Sequence, residues 1–445
     1  MKGYPYIPHT ERDIQEMLER MGLKSIDDLF VDVPKTISLE SLNLPPSSDE
    51  YTVEKKIRKL AEENKKLDEM KVFMGAGIYN HFIPSVVFHL ASKPGFVTAY
   101  TPYQAEVSQG TLQALFEYQT MICELTGMEV TNASMYDGAS ALAEAVLMSV
   151  RISGKNRILI SRAVHPEYVR TIETYVKPQG ITVHMIRWNE ETGSTDLEDL
   201  KSKIDNEVGG VVVQYPNFFG IVEDLKRIRD VVPESVPLIV TSYPIALAML
   251  KPPGDFGADI VVGEGQALGN PPNLGGPGFG FFSTRMRYVR KMPGRLIGRT
   301  KDVDGKVGYV MILQTREQHI RRSKATSNIC SNHAHSAVMG AIYMAVMGKS
   351  GLTEVAKRSA KAAHYLAERL REKRFRIRFK GPFFNEFVFE VGKDYEKRWR
   401  DMAKNGILGP LPLSHFFPEL EGFALACATE LTRKQDVDLL LEAIE

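Results

Sequence analysis

The spacing of apolar positions divides the chain into three stretches. Near the start, Ile14, Met17, Leu18 and Met21 recur at helical spacing. Thr10 precedes them as an N-cap, Asp13 supplies an acidic form of the capping box, and Gly22 follows as a stop. Val53, Ile57, Leu60 and Leu67 predict a second helix over 52–69 that starts at Thr52. Pro45-Pro46-Ser47-Ser48 between the two reads as a connector. Residues 1–70 are therefore expected to form an N-terminal helical arm.

From about residue 108 the pattern changes. A long helical stretch, 109–126, ends at Gly127; a strand is expected at 129–132 and a helix opening near Gly138. Short apolar runs at 157–161, 181–186, 208–213, 237–241, 260–262 and 279–283 then alternate with helical stretches at 166–177, 196–205 and 223–231. Strands alternating with helices imply an α/β domain whose mainly parallel sheet is covered on both faces, here 71–330. An Ala- and Met-rich helix over 331–348 opens the last stretch, 331–445. Helices at 352–373, 394–404 and 432–444, with strands at 375–380, 385–391 and 423–428, make this a smaller C-terminal α+β domain. No internal repeat or low-complexity tract interrupts the chain.

Composition changes this picture little. Lys+Arg 56 against Asp+Glu 55 leaves a net charge of +1, which gives no reason to expect nucleic acid or an anionic membrane as a partner. The three cysteines, Cys123, Cys330 and Cys427, form no Cys-x-x-Cys pair and fit a reducing compartment. Lys2 is not followed by an apolar signal core, and no apolar run approaches the ~20 residues of a membrane helix. A cytoplasmic protein is expected. Histidines 9, 81, 165, 333 and 335 are scattered, no carboxylate spacing completes a metal site with them, and His165-Pro166 reads as a helix start.

Four segments carry candidate chemistry. Met135-Tyr136-Asp137-Gly138-Ala139-Ser140 runs from strand into helix; its small residues and the helix N-terminus suit a phosphate, and equally suit a tight turn capped by Asp137 or Ser140. After the strand at 260–262 come Gly263, Gly265, Gly269 and the run 275–280, glycines that fit either close backbone approach or a long flexible loop. Tyr100-Thr101-Pro102-Tyr103-Gln104-Ala105-Glu106 gathers two aromatics, an amide and a carboxylate, as a pocket wall, an interface or a plain helix entry. The segment 316–328 is basic and then hydroxyl-rich, suited to an anion at a subunit interface or to a solvated helix ending in a turn.

Long, ordered motifs across almost the whole chain resemble the glycine cleavage system P-protein: 6–14, Gly75-Ala76-Gly77-Ile78-Tyr79-Asn80-His81-Phe82-Ile83-Pro84, 100–110, 135–145, 262–280 and 316–332. Within that family the chain is most similar to subunit 1, the α or N-terminal-half subunit of the split, heteromeric form. The resemblance implies the aspartate-aminotransferase-like (type I) fold of pyridoxal-phosphate (PLP) enzymes. It also implies a glycine decarboxylase in which PLP forms a Schiff base with glycine, CO2 leaves, and the aminomethyl group passes to the lipoyl arm of the H-protein.

Two requirements of that chemistry are missing from this sequence. No lysine lies between Lys251 and Lys291, and Gln266 or Ala267 stands about where the Schiff-base lysine belongs. Thr241-Ser242-Tyr243-Pro244 offers no carboxylate to hold the pyridine nitrogen protonated. PLP is therefore expected on a homologous lysine-bearing subunit 2, and Gly138, Ala139 and Ser140 become a vestigial phosphate loop. Because sites of this class lie at subunit interfaces, Tyr100, Tyr103, Gln104 and Glu106 are expected to face the partner's glycine or lipoyl arm, and Thr326 and Ser327 the partner's PLP phosphate. The rival readings are a purely structural scaffold subunit and a self-sufficient PLP enzyme that uses another lysine such as Lys324.

Overall fold

The computed structural model describes residues 6, 8–37, 43–329 and 333–444, which form two compact units, Met1–Lys65 and Lys66–Glu445. In the first unit, α1 (Glu11–Met21) opens on a reciprocal box: Asp13 N–H donates to Thr10 Oγ1 (3.3 Å) and Thr10 N–H to the Asp13 carboxylate (2.6 Å). Gly22, at φ 72°, stops it in the left-handed conformation that glycine tolerates. The second helix, α2 (Glu50–Ala61), is shorter than the expected 52–69. Asp49, not Thr52, caps it, accepting the Thr52 N–H at 2.9 Å. Past Ala61 the sequence turns to charged residues and Asn64, whose amide binds the Leu60 and Ala61 carbonyls (3.4 and 3.3 Å) in competition with further helix.

The second unit is built on a seven-stranded sheet. Its strands follow a short β1 (Lys71–Val72): β2 (Val130–Thr131), β3 (Arg157–Ser161), β4 (Thr182–Ile186), β5 (Val208–Tyr215), β6 (Leu238–Ser242), β7 (Ile260–Glu264) and β8 (Gly280–Thr284). The order is β2-β8-β7-β6-β5-β3-β4; all neighbours are parallel except the pairs made by β8. The helices are α3 (Ser85–Ala91), α4 (Pro94–Val97), α5 (Gln109–Thr126), α6 (Gly138–Ser153), α7 (Pro166–Val176), α8 (Leu197–Lys203) and α9 (Leu225–Val231). Strand side chains alternate between two cores. Val212, Ile239, Ile260 and Val262 pack with α6 and α7, while Val211, Val213, Leu238, Val240 and Val261 pack with α5, α8 and α9. Burial on both faces is why these strands read as continuous apolar runs.

Beyond the sheet come α10 (Pro244–Leu247), α11 (Gln318–Arg321) and a hairpin, β9 (Leu296–Lys301) with β10 (Val307–Ile312), that the sequence reading did not anticipate. Asp304-Gly305 at its tip, with Gly305 at φ 80°, was the available signal. The helices expected at 331–348 and 352–373 form one, α12 (Ala334–Glu372), kinked at Gly348 (φ 59°, ψ −177°); residues 331 and 332, like Cys330, lie outside the described residues. A smaller antiparallel sheet, β11 (Glu386–Glu390), β14 (Phe423–Cys427) and β13 (Leu411–Pro412), packs with α12, α13 (Tyr395–Lys404) and α14 (Lys434–Ile444), and β12 (Ile407–Leu408) pairs with β1. The strand expected at 375–380 does not form. Ile377 makes one bridge to Phe389, and the chain then leaves β11 because Arg378 and Lys380 bind the turn at Glu190 and Glu191. Among the described residues no helix is long and apolar enough to cross a membrane, and no His/Cys/Asp/Glu group could hold a metal.

Candidate functional site

Ligands of open α/β sheets bind where the parallel strands end. At the ends of β5, β6 and β7 lies a cavity lined by Tyr79, His165, Tyr168, Ser242, Tyr243 and Glu264, among others; its volume is about 30 Å³. That is room for about one water molecule. Aromatic rings fill the rest: Tyr79 and Tyr243 lie 4.1 Å apart by their centroids, and His165 stacks on Tyr168 at 4.6 Å.

Helix α6 begins beside this cavity, and two of its first-turn donors are already taken. The Gly138 N–H donates to Glu264 Oε2 (2.9 Å), and the Ser140 N–H donates to its N-cap Asp137 (2.7 Å). Ala139 lies between them on the first turn. Burial pushes the Glu264 carboxyl up to about 7, against the Gly138 N–H that favours its charge. Glycine is required at position 138, because a Cβ there would stand 2.7 Å from the Glu264 nitrogen. Likewise a Cβ on Gly280 would collide with the Asp137 carbonyl. These glycines serve close packing of the chain on itself.

Gln266, in the turn after β7, is a buried clamp. The Tyr79 N–H donates to its Oε1 (2.9 Å), and its Nε2 donates to Tyr79 O (3.1 Å) and Asn270 O (2.7 Å). The segment 75–84 is held from the other side by the small sheet. Glu386 accepts from the Ala76 N–H and the Tyr79 hydroxyl (both 2.7 Å), and burial pushes its carboxyl up to about 7. His81 bridges the Tyr243 hydroxyl and Glu430. His165 caps α7 as its sequence suggested, accepting the Glu167 N–H on Nδ1 (3.2 Å) while Nε2 meets Ala76 O (2.8 Å). Burial lowers its pKa, which keeps the ring neutral.

PLP does not fit here. Sites for ligands of that size run to ~300–1,000 Å³; this one holds about 30 Å³, no lysine lines it, and a carboxylate occupies the helix end a phosphate would need.

A second constellation lies on the surface. Tyr100 and Tyr103 are 66% and 45% exposed, and Gln104 and Glu106 are exposed beside them ahead of α5. Thr326 and Ser327 sit in a groove of about 720 Å³ with Glu144, Arg151, Tyr136 and Tyr175; Lys324 lines this groove and not the cavity at the sheet ends. Their hydroxyls differ. Ser327 donates to the buried Glu144 (2.7 Å), whose pKa burial raises, whereas the Thr326 hydroxyl has no partner among the described residues. Arg295 joins the two segments. Its Nη2 donates to the Tyr103 hydroxyl (2.8 Å), its Nη1 to Thr101 Oγ1 (3.3 Å) and its Nε to Glu317 (2.9 Å). Gly138, Ala139, Ser140 and Gln266 thus stand behind the cavity wall, Gly138 bonded to its Glu264 and Gln266 to its Tyr79, and do not line it; Tyr103 and the 316–327 segment come together elsewhere. Sequence reasoning missed Glu264, Tyr79 and Arg295. A carboxylate ending an apolar strand among glycines was a signal for Glu264; a lone arginine in an aperiodic segment gave none for Arg295.

The sheet order and helix placement are those of the type I fold of PLP-dependent enzymes. The chain superposes on the C-DES protein, solved with glycine covalently linked to its PLP cofactor, at TM-score 0.62 and 14% identity over 85% of this chain and 97% of that one, a likeness of fold alone. Within that class it belongs to the glycine cleavage system P-protein family, which matches residues 4–444. It is 58% identical to the probable glycine dehydrogenase (decarboxylating) subunit 1 of Thermotoga petrophila over 443 residues, all of both chains. It is 45% identical, at TM-score 0.91 and 99% coverage of both chains, to a glycine decarboxylase (P-protein) of the glycine cleavage system solved in inhibitor-bound form.

Proposed function

We propose that this chain is subunit 1 of a heteromeric glycine decarboxylase and works without a cofactor of its own. A homologous, lysine-bearing subunit 2 holds PLP, and the pair decarboxylates glycine and hands the aminomethyl group to the lipoyl arm of the H-protein. The observation that carries this reading is the Glu264 carboxylate seated on Gly138 N–H in a cavity of about 30 Å³. This chain's contribution is to complete the partner's site. Thr326, whose hydroxyl has no partner among the described residues, donates to the partner's PLP phosphate; Ser327, committed to Glu144, holds the loop in place. Tyr100, Tyr103, Gln104 and Glu106 bound the space where glycine and the lipoyl arm enter.

Thr326→Ala removes one hydrogen bond to a charged group, worth roughly 1.5–3 kcal/mol, or on the order of tenfold to a hundredfold in PLP affinity. Titration of the reconstituted pair with PLP should show that loss at unchanged subunit association. Glu106→Gln should lower glycine turnover. Wild-type PLP affinity and turnover in both variants would leave this chain a scaffold only.

A further inference from the structure

The two surface segments are separated by more than two hundred residues, yet one side chain binds both. Arg295 stands just before β9, its side chain largely buried, and its backbone carbonyl accepts the Ala133 N–H (2.8 Å). All three nitrogens of its guanidinium are engaged: Nε and the Glu317 carboxylate form a buried pair at 2.9 Å, and the outer nitrogens reach Thr101 and Tyr103. Arginine's planar fork suits such a three-way tie, and a lysine's single ammonium does not. His319 packs its ring edge-on to Tyr103 at 5.1 Å and closes the same contact. Glu317 stands at the start of the short helix α11, where its carbonyl accepts the Arg321 N–H (2.8 Å), and the Thr326 N–H is held by Arg316 O (3.0 Å), so the tie continues to the loop carrying Thr326.

We propose that Arg295 is a positioning residue that couples the 100–106 segment to the 316–327 segment, so that both reach the partner's site as one unit. This rests on the pocket-completing reading above. Each segment has buried anchors of its own, Pro102 in the first and Arg316, Glu317 and the Ser327–Glu144 bond in the second, but the side chains that would meet the partner are less fixed. Tyr103 is half exposed and Thr326 half buried, and a loop left free would spread its residues over many conformers, each costing about 1–2 kcal/mol per residue to reorder on binding.

Removing Arg295 alone would strand the Glu317 charge in a buried place and risk the fold. The test therefore uses Arg295→Gln combined with Glu317→Gln, two amides that can bond to each other while the tie to Thr101 and Tyr103 is lost. Amide hydrogen exchange on the full chain is the first readout. In the double variant, peptides covering 100–106 and 316–327 should exchange faster together, with the melting temperature within a few degrees of wild type. In the reconstituted pair, the double variant should weaken PLP affinity and raise KM for glycine at once, each about tenfold. Thr326→Ala should move only the first and Tyr103→Phe only the second. Wild-type exchange and kinetics in the double variant overturn the coupling. If Thr326→Ala and Tyr103→Phe are themselves silent, the pocket-completing reading fails instead.

Discussion

Gln266→Lys is expected to produce a less stable chain that still takes up no PLP. Position 266 follows β7 where a Schiff-base lysine would be sought, and one substitution restores the missing amine. The surroundings do not receive it. Gln266 satisfies the Tyr79 N–H, the Tyr79 carbonyl and the Asn270 carbonyl in a buried place. A lysine can donate but cannot accept, so the Tyr79 N–H is left without a partner, and the ammonium itself must be desolvated. Each unmet buried group costs roughly 1–3 kcal/mol, so a loss on the order of 3–5 kcal/mol is expected in urea unfolding. The cofactor would still meet a cavity of about 30 Å³ and the Glu264 carboxylate on α6. A visible absorbance band in the purified variant with PLP would mean the cavity opens far more readily than its packing implies.

Stability should fall as pH rises from about 5 to 7. Burial pushes Glu223, Glu264 and Glu386 each from the ordinary 4.5 up to about 7. Between those values the folded chain keeps protons that the unfolded chain has released, so unfolding becomes easier with every step up in pH; above about 7 the loss is complete. For Glu386 the displacement corresponds to about 3 kcal/mol. Glu386→Gln removes the titration while its amide still accepts from the Ala76 N–H and meets the Tyr79 hydroxyl. The variant should match wild type near pH 5 and exceed it by up to about 3 kcal/mol at pH 8 in urea unfolding. A variant weaker than wild type at pH 8 would show that the ionised carboxylate stabilises the contact between 75–84 and β11.

The large sheet was legible because its strands are buried on both faces and its helices carry clear stops: 109–126 and 157–161 coincide with α5 and β3. The smaller domain was less so. The 375–380 run has strand composition, but Arg378 and Lys380 draw it to carboxylates almost two hundred residues away. The hairpin carrying Arg299, Lys301 and Lys306 lacks an apolar stripe strong enough to mark it. At the site, the absence of a lysine after β7 and of a carboxylate at the end of β6 could be read directly. That Glu264 takes the helix N-terminus, and that Arg295 joins two remote segments, depends on three-dimensional neighbours that no local spacing encodes.

The most direct measurement is borohydride reduction of PLP on this chain alone, on the lysine-bearing subunit alone and on their mixture, followed by mapping of the labelled peptide. If PLP belongs to the partner, this chain alone incorporates none, and in the mixture the label falls wholly on the partner's lysine. Stoichiometric label on any lysine of this chain would contradict a cofactor-free subunit, and the position of that lysine would then define the active site.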